Sequence, residues 1–501
     1  MKRKVFFTSL IWCLVLPVQA EDLYSQLQFV DPVMQNVLNL TQDVPKKVAI
    51  SYDSPFALYN IAFERFKNSN IKPAYDDFKN LFENANANDY FYMKMSEEMA
   101  KIGFYSLSEL AMSKIKEKEI ANIVVEDIKK YYFPAQTIRL KKELYLAELY
   151  SNVVYNQQTT EVLNELNQID ENSDGADYAY YLQTFVYVQN GEYEKAKNCI
   201  EKAVFLNPEN LNYQALQVEI LAEINQPKEA LKIINKLKKQ QIYSITFTNK
   251  IKSLEQYVLY KLGKKETLKN YHLGYYYYLE KAYEKAIRTL LGVEKKNKNI
   301  NALLARIYYD TQDYDKALSF ADKARTSAMA NEVKGDYFSD KNDFENASKY
   351  YYRASKLDKK QLTYSEKLAQ VYVRLGQELK AKNIFETIVV AKNNAFLSYY
   401  NLAKLDSSKE FPYLRKAVAI NMMFTDGWLA LADCEMKKEK LDDANKYLKI
   451  VKSIDENNFK YYYYLGLLCD KRGQKQEAQL NYQKTLLLNP DFEPAREALS
   501  I

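Results

Sequence analysis

The sequence contains few glycines and prolines, with 11 of each among 501 residues. β-Sandwiches, barrels and dinucleotide-binding folds use these residues at tight turns, and collagen needs glycine at every third position. Their scarcity argues against all of these classes and favours helices with few breaks. Hydrophobic residues make up 47% of the chain and charged residues 27%, which is typical of a protein with a folded core.

Histidine is even rarer, since His272 is the single one in the chain. Most metal sites and most acid–base active sites use histidine, so both classes are disfavoured. The chain also lacks the glycine-rich phosphate-binding motifs and the G-x-S-x-G motif of hydrolases. Asp310, Asp313 and Asp315 form a cluster without the closing Glu or the glycine turn of a calcium loop, so we interpret them as helix-start residues. We therefore predict a non-enzymatic chain with no cofactor and no metal.

The chain begins with the pattern of an export signal. Basic residues at positions 2–4 precede an apolar stretch over residues 5–18, and Ala20 ends a site with small residues at both cleavage-reading positions. The apolar stretch is shorter than a typical membrane span. We predict a signal peptide over residues 1–20, with retention as a membrane anchor as the alternative.

The predicted export signal does not determine in which compartment outside the cytoplasm the protein resides. We expect the periplasm first and secretion second. A eukaryotic secretory route would make Asn39 and Asn346 glycosylation candidates. After residue 20 no segment reaches 18 continuous apolar residues, and the mean hydropathy is −0.47, so no integral membrane span is expected in the mature chain. The net charge of +6 less the three signal cations leaves +3, too little to predict a nucleic-acid partner.

Three cysteines follow the predicted cleavage site: Cys199, Cys434 and Cys469. An odd number in an exported chain leaves at least one thiol without an intramolecular partner. None lies in a C-x-x-C motif, and all three fall in helical patterns at apolar positions. We interpret them as small core residues and leave a disulfide between Cys434 and Cys469 open.

An internal repeat is clearest in the unit that begins at Phe459. Aromatic, small and turn residues stand there at fixed offsets: Tyr462, Leu465, Gly466, Ala478, Tyr482 and Pro490. This pattern resembles the tetratricopeptide repeat, with its W-x₂-L-G-x₂-Y, A-x₃-F and P positions over about 34 residues. Further units in the same register begin at Asp177, Thr267, Lys298, Ala328, Leu362 and Thr425, and weaker ones near Pro55, Leu140 and Leu211.

The resemblance implies an all-α fold, a right-handed superhelical solenoid of helix hairpins. In such hairpins small residues allow the helices to approach closely, and larger residues fill the gaps. The unit near Phe396 is short, and segments 89–139 and 245–266 fit the pattern poorly although both are predicted to be helical. The predicted organisation, in chain order, is a signal peptide over 1–20, an arm or cap over 21–54, an N-terminal array over 55–244, an irregular helical connector over 245–266, a C-terminal array over 267–492 and a cap over 493–501.

The resemblance also implies a groove lined by the first helix of each hairpin. Mapping the groove positions of the family onto this sequence gives a surface rich in tyrosine. The candidate partner-binding residues are Tyr181, Phe185, Tyr271, Tyr275, Tyr278, Arg306, Tyr309, Tyr400, Lys404 and Tyr463. Tyrosine offers a large amphipathic contact area with little entropy to lose. Because tyrosine is abundant throughout, at 45 residues, a general compositional bias with tyrosines in the core is the alternative interpretation.

These observations predict an exported scaffold or adaptor that binds a segment of a partner protein during assembly of an envelope complex. The lysine and asparagine with which some relatives bind a terminal carboxylate are absent at the corresponding positions, so that ligand is not implied. Two alternatives remain open. The chain could be a periplasmic component of polysaccharide export whose tyrosines contact glycan, or a regulatory subunit of a separate enzyme.

Overall fold

The computed structural model describes residues 55–157, 159–240, 242–392 and 394–500. The predicted signal peptide over 1–20, the predicted arm over 21–54 and the glycosylation candidate Asn39 lie outside the described residues. Within those ranges the chain consists of helices joined by short turns, without any strand.

The structure has 27 α-helices in the described residues. The first nine are α1 (Pro55–Lys67), α2 (Ile71–Asn84), α3 (Asp89–Lys101), α4 (Tyr105–Lys114), α5 (Lys118–Tyr132), α6 (Leu140–Val154), α7 (Thr159–Leu166), α8 (Ala176–Gln189) and α9 (Tyr193–Leu206). The next nine are α10 (Leu211–Glu223), α11 (Pro227–Leu237), α12 (Ile245–Leu262), α13 (Glu266–Leu279), α14 (Tyr283–Leu291), α15 (Lys298–Asp310), α16 (Tyr314–Lys323), α17 (Ala328–Asp340) and α18 (Phe344–Leu357). The last nine are α19 (Leu362–Arg374), α20 (Glu378–Ala391), α21 (Phe396–Leu405), α22 (Glu410–Ile420), α23 (Thr425–Lys437), α24 (Leu441–Ile454), α25 (Phe459–Lys471), α26 (Lys475–Leu488) and α27 (Glu493–Ser500).

The chain divides into two compact units. The first unit contains the described residues up to 121, residues 132–186 and those from 448 onward. The second unit contains residues 122–131 and 187–447. The array boundaries predicted from the sequence remain predictions. The predicted all-α helical repeat solenoid is confirmed.

Small residues allow the two helices of a hairpin to pack closely, as the repeat pattern predicts. In the second unit Gly335 of α17 faces the ring of Tyr351 on α18, and a Cβ built at this glycine would lie 2.5 Å from Tyr351 Cε1. Ala347 and Ala354 of α18 are fully buried. The backbone of α17 therefore rests directly on an aromatic ring, which only glycine permits.

The hairpin turns share one backbone conformation. Gln312 and Asn342, each two residues past the end of a helix, have positive φ values of 63° and 58°. The next residue in each turn closes it, because the Asp313 amide donates to the Tyr308 carbonyl at 2.8 Å. The Asp313 carboxylate then accepts from the Lys316 amide and caps α16. Asp313 thus has the predicted helix-start role and Asp315 lies in the first turn of α16, whereas Asp310 instead ends α15.

The first unit has cores of its own. Its N-terminal helices pack through aromatic rings, with Phe66 and Phe104 edge to face at 5.3 Å between centroids. At the end of the chain α27 buries Ala495 against Ala478 and Tyr482 of α26.

The segments that fit the repeat poorly are helical, as predicted, and residues 245–262 form one helix of 18 residues.

The three cysteines of the described residues are free thiols. Cys434 and Cys469 are buried, while Cys199 is half-buried. Burial raises the pKa of the Cys199 thiol to about 11 and that of Cys434 to about 12. Thiols with such pKa values are protonated at neutral pH and poorly nucleophilic, which fits residues that pack within helices.

Candidate functional site

Three predicted residues of α13 form a continuous aromatic strip, here called the tyrosine ladder: Tyr271, Tyr275 and Tyr278. Offsets of four and three place them on one side of the helix. Successive ring centroids are 6.0 Å apart. One side of the ladder packs on the core formed by α14 and α15, which leaves the rings half-buried.

An ion-pair network continues from the ladder across α15, α17 and α19. It consists of five charged residues: Arg306, Asp310, Glu332, Asp336 and Lys367. The Tyr278 hydroxyl donates to Asp310 Oδ2 at 2.8 Å, and Arg306 Nε donates to Asp310 Oδ1 at 3.0 Å. Arg306 also pairs with Asp336 of the next hairpin. The network therefore links the first helices of successive repeats.

Asp336 lies at the centre of this network. Its carboxylate accepts from the Tyr351 hydroxyl at 2.6 Å and from Lys367 Nζ at 2.7 and 2.9 Å. Lys367 Nζ lies 2.7 Å from Glu332 as well. Burial alone would raise the pKa of Asp336, but Lys367 and Arg306 outweigh burial and hold that pKa below its ordinary value. Asp336 is therefore ionised at neutral pH.

Arg306 was predicted as a groove residue, and the structure shows that its charge is largely enclosed. The residue is 9% exposed. Its guanidinium carbon lies 4.6 Å from the centre of the Tyr309 ring, and the Tyr309 hydroxyl donates to Asp340. Burial alone would lower the pKa of Arg306, but Asp336 and Asp310 raise it instead. Arg306 therefore positions its neighbours and offers little free charge to a ligand.

Tyr364 of α19 is a buried tyrosine whose phenol is influenced electrostatically by Glu332, Tyr275 and Tyr271. Burial first, and these neighbours second, raise the pKa of Tyr364. Burial likewise raises the pKa of each ladder tyrosine. The phenols stay neutral, so each hydroxyl remains a hydrogen-bond donor.

The other predicted residues form separate groups. In the first unit the rings of Tyr181 and Phe185 meet edge to face at 4.7 Å, with Phe185 buried. Also in the first unit, the ring of Tyr463 lies 5.1 Å from that of Phe492. In the second unit Lys404 Nζ lies 4.1 Å above the Tyr400 ring. The structure thus brings together five of the ten predicted residues: Tyr271, Tyr275, Tyr278, Arg306 and Tyr309.

The ten candidate residues predicted from the sequence do not include several residues that lie in the ion-pair network or near the tyrosine ladder. Glu332 and Asp336 stand four residues apart on one side of α17, and this spacing is visible in the sequence. Lys367 and Tyr364 carry no such signal. Lys367 reaches Asp336 across 31 sequence positions, and the end of a long flexible side chain cannot be placed from its position on a helix.

His272 is half-buried and contacts a neighbouring helix. Its Nδ1 lies 2.8 Å from Gln256 Oε1, and burial lowers its pKa. The described part of the chain holds no group of three or more His, Cys, Asp or Glu residues arranged to bind a metal ion. Nor does it hold a helix with the length and apolar character of a membrane span.

Comparison with known proteins supports the repeat assignment. The tetratricopeptide repeat family model matches residues 178–210 and 330–361. No curated protein sequence matches the chain significantly. Both matched segments are units that the sequence pattern had identified.

Several solved structures match the chain at low sequence identity. YrrB, described as a TPR protein with an unusual peptide-binding site, is 23% identical, with 37% of this chain and 98% of YrrB covered and a TM-score of 0.27. The Cut9–Hcn1 complex of the APC/C is 16% identical, with 93% and 80% covered and a TM-score of 0.30. PilF of Pseudomonas aeruginosa is 17% identical, with 47% and 97% covered and a TM-score of 0.30.

The helix hairpins, the small residues at their crossings and the two matched segments all agree. Tetratricopeptide repeats support a role as a scaffold for protein–protein interaction. The chain therefore contains tetratricopeptide repeats, which the family model matches at residues 178–210 and 330–361.

Proposed function

We propose that the chain is an exported, non-enzymatic scaffold whose tyrosine ladder binds a segment of a partner protein during assembly of an envelope complex. The observation that carries the proposal is the continuity of the half-buried ladder with the ion-pair network. Aromatic faces, neutral phenol donors and fixed carboxylates lie side by side on the first helices of consecutive repeats.

The charges of this surface indicate the chemistry of the partner segment. Four carboxylates are involved, those of Asp310, Glu332, Asp336 and Asp340, whereas the cations are Arg306 and Lys367. Lysine and arginine side chains also interact favourably with the faces of tyrosine rings. A segment that alternates basic and apolar side chains would match this surface.

Preorganisation supports a binding role. Ordering a side chain upon binding costs about 0.5–1.5 kcal/mol. Tyr278 is held by Asp310, and Asp310 is held by Arg306, before any ligand arrives. Much of that ordering cost is therefore met during folding, which leaves more of the contact energy for affinity.

The binding test compares variants of the mature chain against immobilised peptides that alternate lysine or arginine with leucine or phenylalanine. Replacing all three ladder tyrosines by alanine removes the aromatic strip, and we expect binding to be lost. The matched control is Tyr399→Ala with Tyr413→Ala, a half-buried pair in the same unit with rings 5.9 Å apart. Circular dichroism checks the fold of both variants. Equal binding by both would contradict the proposal.

A single substitution separates stacking from hydrogen bonding. Tyr278→Phe keeps the ring and removes the hydroxyl that donates to Asp310. If the ring faces supply most of the affinity, this variant binds within a few-fold of wild type. If the orientation of Asp310 matters more, affinity falls by about tenfold, equivalent to about 1.4 kcal/mol.

Export is supported by the basic residues at positions 2–4 and the apolar stretch after them. We expect a tagged chain to appear in the periplasmic or extracellular fraction with Glu21 as its first residue. N-terminal sequencing of the recovered protein checks this. Recovery of the chain with Met1 retained in a cytosolic fraction would refute export.

Polysaccharide export is the second candidate, because the half-buried tyrosine faces would also stack against sugar rings. Capture from an envelope extract distinguishes the two candidates. Ligand that survives protease treatment of the extract and still depends on the ladder would favour glycan. Loss of the captured ligand after protease treatment would favour a protein segment.

A further inference from the structure

The second unit carries another concave surface, here called the basic cleft. Its volume is about 530 Å³. The cleft lies between the end of α16 and the helices α17 and α18, and its walls contain no acidic side chain. Its charged and aromatic lining residues are Arg325, Lys334, Tyr350, Tyr352, Arg353 and Lys356.

Most of this positive charge is uncompensated. Lys334 pairs with Asp322 at 2.6 Å. Arg325, Arg353 and Lys356 are exposed, and none of the three forms an ion pair within the described part of the chain. Exposed cations without carboxylate partners on one concave wall make a local positive potential that favours an anionic ligand.

Aromatic rings hold the cations in place. Lys334 Nζ lies 5.4 Å and the Arg353 guanidinium carbon 5.5 Å from the centre of the Tyr350 ring. That ring is itself fixed, because it stacks on Phe338 with centroids 5.4 Å apart. Lys356 Nζ lies 5.1 Å from the Tyr352 ring. The cleft therefore presents oriented cations.

Part of the cleft wall is apolar and exposed. Tyr352 is 49% exposed and Leu357 is 50% exposed. A polymer that carries only charge would leave this surface in contact with water. A peptide with apolar side chains beside its carboxylates would cover it, and arginine guanidinium groups bind carboxylates in bidentate geometry.

We propose that the basic cleft binds an acidic segment of a partner protein, in which aspartate or glutamate alternates with apolar side chains. The cleft and the ion-pair network use different sides of α17. Lys334 is two residues from both Glu332 and Asp336, and two residues correspond to about 200° around a helix. One repeat thus presents carboxylates on one side and free cations on the other, and can hold two segments of opposite charge.

The test measures binding of a fluorescent peptide that alternates glutamate and leucine and contains one tyrosine. The variant is Arg353→Glu with Lys356→Glu, which reverses two exposed charges of the cleft. The matched control is Lys295→Glu with Lys298→Glu, two exposed lysines of the same unit outside the cleft. Both variants change the net charge equally, and circular dichroism verifies their fold.

We expect the cleft variant to bind about ten- to thirtyfold more weakly and the control to stay within about twofold of wild type. The same peptide with glutamine in place of glutamate should also lose binding. Tyr352→Ala should weaken binding by a few-fold without any change of charge. Equal loss in both charge-reversed variants would overturn the cleft assignment.

Inorganic polyphosphate separates a peptide site from a general anion site. If the cleft recognises a peptide, polyphosphate competes weakly, and Tyr352→Ala weakens binding of the peptide but not binding of polyphosphate. Polyphosphate that binds as tightly as the peptide, together with peptide binding that Tyr352→Ala leaves unchanged, would overturn the peptide proposal.

Discussion

Replacing Asp336 by asparagine should destabilise the second unit strongly. The Asp336 carboxylate accepts from Arg306, Tyr351 and Lys367, and the residue is 9% exposed. Removing the negative charge leaves the buried Arg306 and the half-buried Lys367 facing a neutral amide. The two binding proposals concern the tyrosine ladder and the basic cleft. The Asp336→Asn prediction instead tests whether the ion-pair network stabilises the repeats.

The magnitude follows from the partners that remain. Removing one member of a buried ion pair costs roughly 3–5 kcal/mol. Lys367 keeps Glu332 and Arg306 keeps Asp310, so we expect the lower end, a loss of about 3 kcal/mol in the free energy of unfolding. At an m-value of about 2 kcal/mol per molar urea, the midpoint falls by about 1.5 M.

Tryptophan fluorescence during urea unfolding reports on the second unit. Trp428 is the single tryptophan in a chain that lacks residues 1–20. It is fully buried, and its Nε1 donates to the Met422 carbonyl at 2.8 Å. The control is Asp340→Asn, an exposed carboxylate that accepts from Tyr309. Equal midpoint shifts for the two variants would refute the central role of Asp336.

The stability that the Asp336 carboxylate contributes depends on pH in a definite direction. The folded-state pKa of Asp336 lies below its ordinary value of 3.8, because Lys367 and Arg306 outweigh burial. The charged carboxylate therefore contributes its full stability above pH 3.8, and this contribution is lost as the pH falls through the lowered pKa. The difference in unfolding free energy between wild type and Asp336→Asn should be constant near pH 7 and shrink in acid.

Three further predictions concern local structure. Gly335→Ala should cost about 1–3 kcal/mol, because the new methyl group meets the Tyr351 ring; urea midpoints measure this. Asp313→Ala removes the cap of α16 and should cost about 1 kcal/mol, measured the same way. Glu143 is buried, and burial raises its pKa to about 7. The thermal midpoint of Glu143→Gln relative to that of wild type should therefore be higher at pH 8 than at pH 5, since the folded wild type must ionise a buried group at the higher pH.

The helices and their crossings were predictable because small residues recur at fixed offsets. A glycine or alanine at the crossing is a steric requirement, and Gly335 against Tyr351 meets it. Such requirements depend on the backbone, so they appear directly in the repeat pattern of the sequence.

The tyrosine ladder and the ion-pair network were predictable only in part, because the position of a residue on a helix fixes its Cα and not the end of its side chain. Tyr271, Tyr275 and Tyr278 follow from helix geometry alone. Arg306 was predicted to face a groove, whereas the structure shows its guanidinium in an ion-pair network. Lys367 joins that network through a four-carbon side chain whose rotamer depends on carboxylates 31 and 35 positions away. Pairing of charges between repeats requires the tertiary arrangement.

Salt should distinguish the basic cleft from the ion-pair network. At about 0.1 M ionic strength the screening length is about 10 Å in water, and exposed charges are screened far more than enclosed ones. Arg325, Arg353 and Lys356 of the cleft are exposed, so peptide binding there should weaken steeply as sodium chloride is raised. Asp336 is enclosed by its partners, so the stability difference between wild type and Asp336→Asn should change little. A stability difference that disappears in high salt would show that water reaches the network, and the argument from enclosure would then fail.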